Sequence, residues 1–341
     1  MRRGGLIGFG NVAVRGHLPG WQRRSDAELV AVAEVQARHR EDAATHLPRA
    51  SRHDSAEALL AHAALDFVDI CTPPSTHAAL IEAALQRGVH VLCEKPLVGG
   101  LADLRRLADL AAARRLVLQT VHNWHHAPIV RRTHELIADG AVGEITGVAW
   151  HTLRTRPAAA ASDEGNWRVN PGVAGGGVLT DHGWHVSYIV QRWIGQAPLA
   201  VSACLETRRH HAFAVEDTAS VQVTFPAAKA DIFLTWAADT RRNWAEVSGT
   251  AGVLQLHDDT IVWQSRRTGE EQRWVCPPPL SDGSQHPDWF DAVAAEFVAG
   301  MEAPPASPTN LAEAWWCAAL EAAARASSRD GGRETLVEPW A

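Results

Sequence analysis

Four short stretches of the chain combine residue types and spacings that can do chemistry. Gly8-Phe9-Gly10-Asn11-Val12-Ala13 reads G-x-G-x-x-A. In such a turn Gly8 permits the tight bend, Gly10 lets a pyrophosphate approach the main chain, and Ala13 allows helix and strand to pack closely. The helix that follows points its N-terminal N–H groups at negative charge. Glu34 stands 21 residues beyond Ala13. A carboxylate there accepts from ribose hydroxyls and repels a 2′-phosphate, which favours NAD over NADP, with Arg38 the nearby cation that could turn toward a phosphate. The second stretch is Thr72-Pro73-Pro74-Ser75-Thr76-His77 and the third Glu94-Lys95-Pro96, each directly after an apolar run. The chain holds 32 basic residues, yet lysine occurs only at 95 and 229. Lysine can shift its pKa and pass a proton where arginine stays charged. The fourth stretch runs from Trp167-Arg168 through Gly175-Gly176-Gly177 to Asp181-His182-Gly183-Trp184-His185. Asp181 and His185 are four apart, so on a helix they share a face.

These residues need elements to hold them. Strands are expected at Arg3–Gly8, Leu29–Glu34, Phe67–Cys71, Val89–Cys93 and Val117–Val121. Helices are expected at Val12–Arg23, Thr76–Gln86 and Leu101–Arg114, the last with Leu101, Leu104, Leu107, Leu110 and Ala111 on one face. Alternating strands and helices imply βαβ units and a doubly wound parallel sheet. The glycine turn, the Thr72-Pro73 loop and Glu94-Lys95 then all fall at strand carboxyl ends, where such sheets bind ligands. Ser75 or Thr76 can cap the helix that follows.

Beyond about residue 122 the pattern changes. A helix near 129–139 and the strand Ile145–Leu153 precede a helix over Asp181–Trp193. Strands then dominate: Val201–Glu206, Ser220–Phe225, Asp231–Thr235, Ala245–Ser248, Val253–Leu256 and Ile261–Ser265. Helices over Asp288–Ala299 and Leu311–Ser327 end the chain, and the prolines at 277–279 and 304–305 mark loops. The expected architecture is a Rossmann domain over 1–122 and an α/β domain with a large, mostly antiparallel open sheet over 123–341. An open sheet needs its outer face covered, so a homodimer or homotetramer through that sheet is expected.

Composition narrows the function classes. The 341 residues are 46% hydrophobic and 21% charged, a globular balance that excludes a disordered chain. The net charge of −7, without a basic stripe, argues against nucleic acid. No apolar run approaches the roughly 20 residues of a membrane span. The segment after Met1-Arg2-Arg3 is too short and polar for a signal peptide. Five scattered cysteines without C-x-x-C fit reduced thiols in the cytoplasm.

Gly8-Phe9-Gly10, Thr72-Pro73…His77 and Glu94-Lys95-Pro96, followed by Trp167-Arg168-Val169-Asn170-Pro171…Gly175-Gly176-Gly177-Val178-Leu179-Thr180-Asp181-His182-Gly183-Trp184-His185, together resemble the Gfo/Idh/MocA oxidoreductases. The resemblance spans nearly the whole chain. It implies a nicotinamide cleft between the two domains and a catalytic set of Lys95, Asp181 and His185. It places the cofactor on Gly8, Phe9, Gly10, Asn11, Val12, Glu34, Thr72, Pro73, His77, Glu94, Lys95 and Asn123. Substrate contacts fall to Lys95, Trp124, Trp167, Arg168, Asp181, Trp184 and His185. The chemistry agrees with these types. Oxidising a secondary alcohol requires loss of a hydride to the nicotinamide and of a proton from oxygen. A histidine near neutrality suits the proton, and a lysine suits the developing alkoxide.

Two features depart from the family pattern. His125 stands where an arginine is often found, which argues against a strongly anionic substrate. Trp184 replaces a smaller residue and is expected to reshape the pocket, while Trp124, Trp167 and Trp184 are candidate platforms for sugar C–H faces. His122, His125, His126, His182 and His185 show no spacing that specifies a metal, so none is expected. The plain alternative makes Asp181 a helix cap, His185 an interior residue and Lys95 a surface charge. The expected activity is NAD-dependent oxidation or reduction of a sugar, cyclitol or related polyol. A redox-neutral enzyme with tightly held NAD is the second reading, and a non-catalytic NAD-responsive regulator the third. Loops 157–173 and 237–244 are expected to set the substrate.

Overall fold

The computed structural model describes residues 1–62, 64–158, 165–302 and 308–340. The expected Pro304-Pro305 loop and positions 159–164 of the expected substrate loop lie outside the described residues. The chain forms two compact units: Met1–Asn123 with Gln285–Ala314, and Trp124–Ala159 with Asn166–Ser284 and Trp315–Ala341.

The first unit is built on a six-stranded sheet in the order β3-β2-β1-β4-β5-β6, with every pair parallel. Its strands are β1 (Arg2–Ile7), β2 (Ala27–Ala33), β3 (Ser51–His53), β4 (Phe67–Ile70), β5 (His90–Cys93) and β6 (Leu118–Thr120). This is the expected doubly wound sheet. β3 and the helices Ala37–His46 and Ala56–His62 are additional. Their signal is weak: β3 has three residues, and the Ala37–His46 helix buries only Ala43. The expected helix after the glycine turn is interrupted by a π-helical turn, Ala13–His17, before the α-helix Leu18–Arg23. Pro19 lacks the N–H that would close an α-turn there, and a π-turn is one way to absorb it.

The sequence expectation of a single cut at 122 is corrected by the return of 285–314. The helix Pro287–Glu302 supplies Phe290, Val293, Ala294, Phe297, Val298 and Met301 to the same core as Leu6, Phe9, Trp21 and Phe67. Position in the sequence could not show which sheet this apolar helix covers. At the sheet edge, the Asn310 side chain accepts from the Thr120 N–H and donates to the Thr120 carbonyl, at 2.8 and 3.0 Å. It stands in for the missing neighbour of β6.

The second unit holds a nine-stranded sheet in the order β14-β13-β12-β11-β7-β10-β9-β8-β15. Its strands are β7 (Ile145–Leu153), β8 (Ala200–Glu206), β9 (Thr218–Thr224), β10 (Lys229–Thr235), β11 (Arg242–Gly249), β12 (Gly252–His257), β13 (Thr260–Ser265), β14 (Glu271–Val275) and β15 (Thr335–Leu336). All pairs are antiparallel except β7–β10. Along β7, Val148, Trp150 and Thr152 are buried at every second position, as a one-sided core requires. The helix Trp184–Ile194 packs on β7, with the ring centroids of Trp193 and Trp150 5.6 Å apart. On the other face Phe233, His151 and Trp244 stand in register on three adjacent strands, and the His151 and Trp244 rings stack at 3.9 Å. Among the described residues no helix is long and apolar enough to cross a membrane.

Candidate active site

In the first unit the glycine turn has the form expected of a dinucleotide cradle. Gly8 takes a φ of +89°. A Cβ placed on Gly10 would meet nothing within 4 Å, so the main chain there is open to a close ligand. Asn11 and Val12 begin the helix directly after it. Glu34 closes the turn from below. Its Oε2 accepts from the Phe9 N–H at 2.7 Å and its Oε1 from the Gln36 N–H at 2.8 Å. The carboxylate is thus held in place by two backbone donors, with lone pairs remaining for a ribose. Arg40 reaches this corner: its guanidinium donates to the Glu34 carbonyl at 2.6 Å. These features fit a bound dinucleotide.

His77 joins two loops. It is fully buried, with Nδ1 2.8 Å from the Pro96 carbonyl and Nε2 2.9 Å from the Thr72 carbonyl. Burial pushes its pKa down, against the pull of those two carbonyls. Both ring nitrogens face main-chain carbonyls, so His77 ties the Thr72-Pro73 loop to the Lys95-Pro96 loop. The expected helix cap is absent: the Thr76 hydroxyl donates to the Pro73 carbonyl at 2.8 Å, and its oxygen lies 2.7 Å from Thr72 Oγ1.

Glu94 and Lys95 follow β5 at its carboxyl end, both half-buried. Glu94 Oε2 accepts from the Lys95 N–H at 2.9 Å, and Oε1 lies 3.0 Å from His17 Nε2. Burial would raise the Glu94 pKa, but the bond to His17 and the charges of His17 and Lys95 outweigh it and hold the pKa down. Asn123 sits half-buried on the 3-10 turn after β6.

The second unit holds the other candidates. After Gly175-Gly176-Gly177 comes a π-helical turn, Leu179–Gly183, and then the α-helix Trp184–Ile194. The close approach of Glu216 requires glycine at 177, where a Cβ would lie 1.9 Å from the Glu216 carbonyl oxygen. Glu216 Oε1 caps this helix start by accepting from the N–H groups of Gly177 and Leu179. Asp181 is therefore not the cap. Its own N–H donates to the Gly177 carbonyl, inside the turn. The i→i+5 bonding of that turn also alters the simple four-residue relation expected between Asp181 and His185.

His185 is buried, 7% exposed. Its Nδ1 lies 2.9 Å from the Tyr188 hydroxyl, which accepts from the Trp124 N–H at 3.0 Å. The Trp124 indole stacks on the imidazole at 4.5 Å and 8°. Trp124, at 6% exposure, forms a wall behind His185. Trp184 is 2% exposed and, with Val221, Ile232, Cys317 and Leu320, lines a small internal cavity. Trp167 and Arg168 remain half-buried, the guanidinium 4.4 Å above the indole.

The structure adds residues that the sequence reading did not single out. Tyr188 is the only tyrosine in the chain and sits three residues after His185. That spacing is a legible signal for a partner on the same helix face. Arg154 follows β7, is 2% exposed, and donates to the Leu153 and Arg242 carbonyls and to the Asn243 side chain. Burial and then the charge of Arg241 push its pKa down to about 9, against the pull of Asp181 and Asp258. It places a buried cation in the field of Asp181. His17 and Asp69 are the third addition, and a carboxylate inside the apolar run Phe67-Val68-Asp69-Ile70 was its visible sign.

Residues 2–122 match the family model described as an oxidoreductase family with an NAD-binding Rossmann fold, and residues 130–255 match the GFO/IDH/MocA C-terminal domain. D-apiose dehydrogenase from Paraburkholderia graminis is 27% identical over 304 residues, 87% of this chain and 77% of its own. The trans-1,2-dihydrobenzene-1,2-diol dehydrogenase of Oryctolagus cuniculus is 32% identical over 258 residues, 74% and 73% of the two chains. Levoglucosan dehydrogenase in complex with NADH and L-sorbose superposes with a TM-score of 0.86 at 20% identity over 99% of both chains. With both domains matched in order around a glycine turn shaped for a dinucleotide, the chain belongs to the Gfo/Idh/MocA family of NAD-binding oxidoreductases.

Proposed function

We propose that this enzyme is an NAD-dependent dehydrogenase or reductase that interconverts a secondary hydroxyl and a ketone on a sugar, cyclitol or related polyol. The observation that carries the reading is the setting of His185: a buried imidazole held at Nδ1 by a hydroxyl that can donate or accept. When Nδ1–H donates to Tyr188, Nε2 presents a lone pair and takes the alcohol proton. When the Tyr188 hydroxyl donates to Nδ1, Nε2 carries the proton and returns it. Lys95 supplies the positive charge that stabilises a developing alkoxide, and Asp181 accepts from a substrate hydroxyl. Gly8, Gly10, Asn11 and Val12 hold the pyrophosphate, and Glu34 the ribose, with Thr72, Pro73, Glu94 and Asn123 lining the rest. The bound NAD supplies the hydride acceptor.

The named relatives act on polyhydroxylated or diol compounds, and a cis-or-trans pair of hydroxyls is what Asp181 and His185 would grip. The half-exposed Trp167 indole is a platform for a sugar face. Phe233, His151 and Trp244 form an aromatic row on the open sheet, which a second copy of the chain would cover. Five free thiols suit the cytoplasm.

The test is NADH absorbance during incubation with a polyol panel. Lys95→Met should lower kcat by about 10²–10³-fold, the usual effect of removing one stabiliser of a developing oxyanion, with NADH binding retained. Near-normal turnover in that variant would remove Lys95 from the mechanism. Product of unchanged oxidation state, without free NADH, would replace the reading with a redox-neutral one.

A further inference from the structure

We propose that His17 is a positioning residue for catalysis: as an imidazolium bridging Asp69 and Glu94, it fixes the Glu94 carboxylate that in turn sets the main chain at Lys95. The proposal rests on the assignment of Lys95 made above.

The geometry is specific. His17 is 2% exposed. Its Nδ1 lies 2.9 Å from Asp69 Oδ2 and its Nε2 3.0 Å from Glu94 Oε1. A carboxylate only accepts, so a proton on each ring nitrogen satisfies both bonds. Nδ1 also lies 3.1 Å from Asp69 Oδ1 and 3.2 Å from Cys71 Sγ. Trp21 Nε1 donates to Asp69 Oδ2 at 2.7 Å, and Cys71 Sγ donates to Asp69 Oδ1 at 3.6 Å. The Phe290 ring stacks on the imidazole at 3.9 Å and 18°. Glu94 spends one oxygen on His17 and the other on the Lys95 N–H. Rotation of that carboxylate would therefore break two bonds at once.

The titratable groups facing His17 are Asp69 and Cys71 from β4 and its end, and Glu94, with Lys95 behind it, from the end of β5. The helices Leu18–Arg23 and Pro287–Glu302 contribute the uncharged rings of Trp21 and Phe290. Burial lowers the His17 pKa, but the charge and hydrogen bond of Asp69 outweigh it and raise the pKa well above its ordinary value. Burial and the charge of Asp69 push the Cys71 thiol up, so it stays neutral. His17 Nδ1, Asp69 and Cys71 Sγ are close enough together to hold a cation. As an imidazolium, however, His17 offers no lone pair to one.

If His17 loses its proton, one carboxylate faces a lone pair and the Glu94 anchor is released. Asp69→Asn removes the main charge that retains the proton, while Trp21 and Phe290 still pack. Two measurements follow. In histidine-15N-labelled enzyme, one histidine should show both ring N–H protons at pH 8, and that signal should vanish in His17→Gln. In Asp69→Asn, the alkaline limb of kcat should move down by about one pH unit or more, since an adjacent opposite charge shifts a pKa by roughly 1–3, while the dissociation constant of NADH stays close to that of the wild type. A singly protonated His17 at pH 7, or a pH profile of Asp69→Asn superimposable on the wild type, overturns the proposal. If His17→Gln does not fold, the displacement of the same signal in Asp69→Asn assigns it. Lys95→Met separates the two readings. Normal turnover there refutes the role of Lys95 itself, whereas an inactive Lys95→Met beside an unchanged Asp69→Asn profile refutes only the role of His17.

Discussion

The helix after the glycine turn in the first unit and the helix after Gly175-Gly176-Gly177 in the second begin alike. Each opens with a π-helical turn, Ala13–His17 and Leu179–Gly183, and each delivers a buried histidine at or just beyond it. Their partners differ. His17 meets a carboxylate at each ring nitrogen and stacks on Phe290. His185 meets a phenol at Nδ1 and stacks on Trp124. Two carboxylates hold a proton in place, because removing it would strand buried negative charge. A hydroxyl accepts from one tautomer and donates to the other, so the proton can come and go. In the roles proposed above, the same side chain is a fixed cation in one unit and a proton carrier in the other, and the difference lies in what faces it.

The comparison can be broken most sharply at His185. His185→Asn should lower kcat by about 10²–10⁴-fold, the span of general acid–base catalysis, with little change in melting temperature, since asparagine can still meet the Tyr188 hydroxyl. A variant that keeps its turnover would end the contrast. Tyr188→Phe should have a smaller effect, roughly a tenfold lower kcat, equivalent to about 1.4 kcal/mol. Because it strands the Trp124 N–H and His185 Nδ1, it should also cost about 1–3 kcal/mol of stability. Full stability in that variant would mean that the phenol does not hold these two groups.

The smallest expected effect is a stability slope. The folded pKa of His17 is raised above the unfolded value of about 6.5. Its contribution is therefore complete below that pH and is lost as pH rises through the folded value. Thermal melts of wild type and His17→Gln should differ most near pH 6 and converge at alkaline pH. A gap that widened with pH would reverse the assigned sign.

Much of the architecture was legible. The G-x-G-x-x-A turn, Glu34 and the apolar strands at 67–71 and 89–93 announce a parallel sheet because buried strands read as short continuous hydrophobic runs. The strands over 201–265 were readable from alternation and intervening turns. The helix Pro287–Glu302 was visible as a helix, but its sheet was not, because an apolar stripe states that it must be covered and not by what. The site was readable as a set of residues and less so as a set of roles. His77, Trp124 and Trp184 fell in the right motifs, yet one binds loop carbonyls, one backs His185 and one fills the core.

The sequence by itself determined the two sheet types, the dinucleotide cradle and the residues able to carry charge and protons, since these follow from periodicity, glycine placement and side-chain chemistry. Only the tertiary structure decided which histidine is locked and which can exchange its proton. That property belongs to no residue alone. It arises where Asp69 and Glu94, 25 positions apart, converge on His17, and where one helical turn brings Tyr188 to His185.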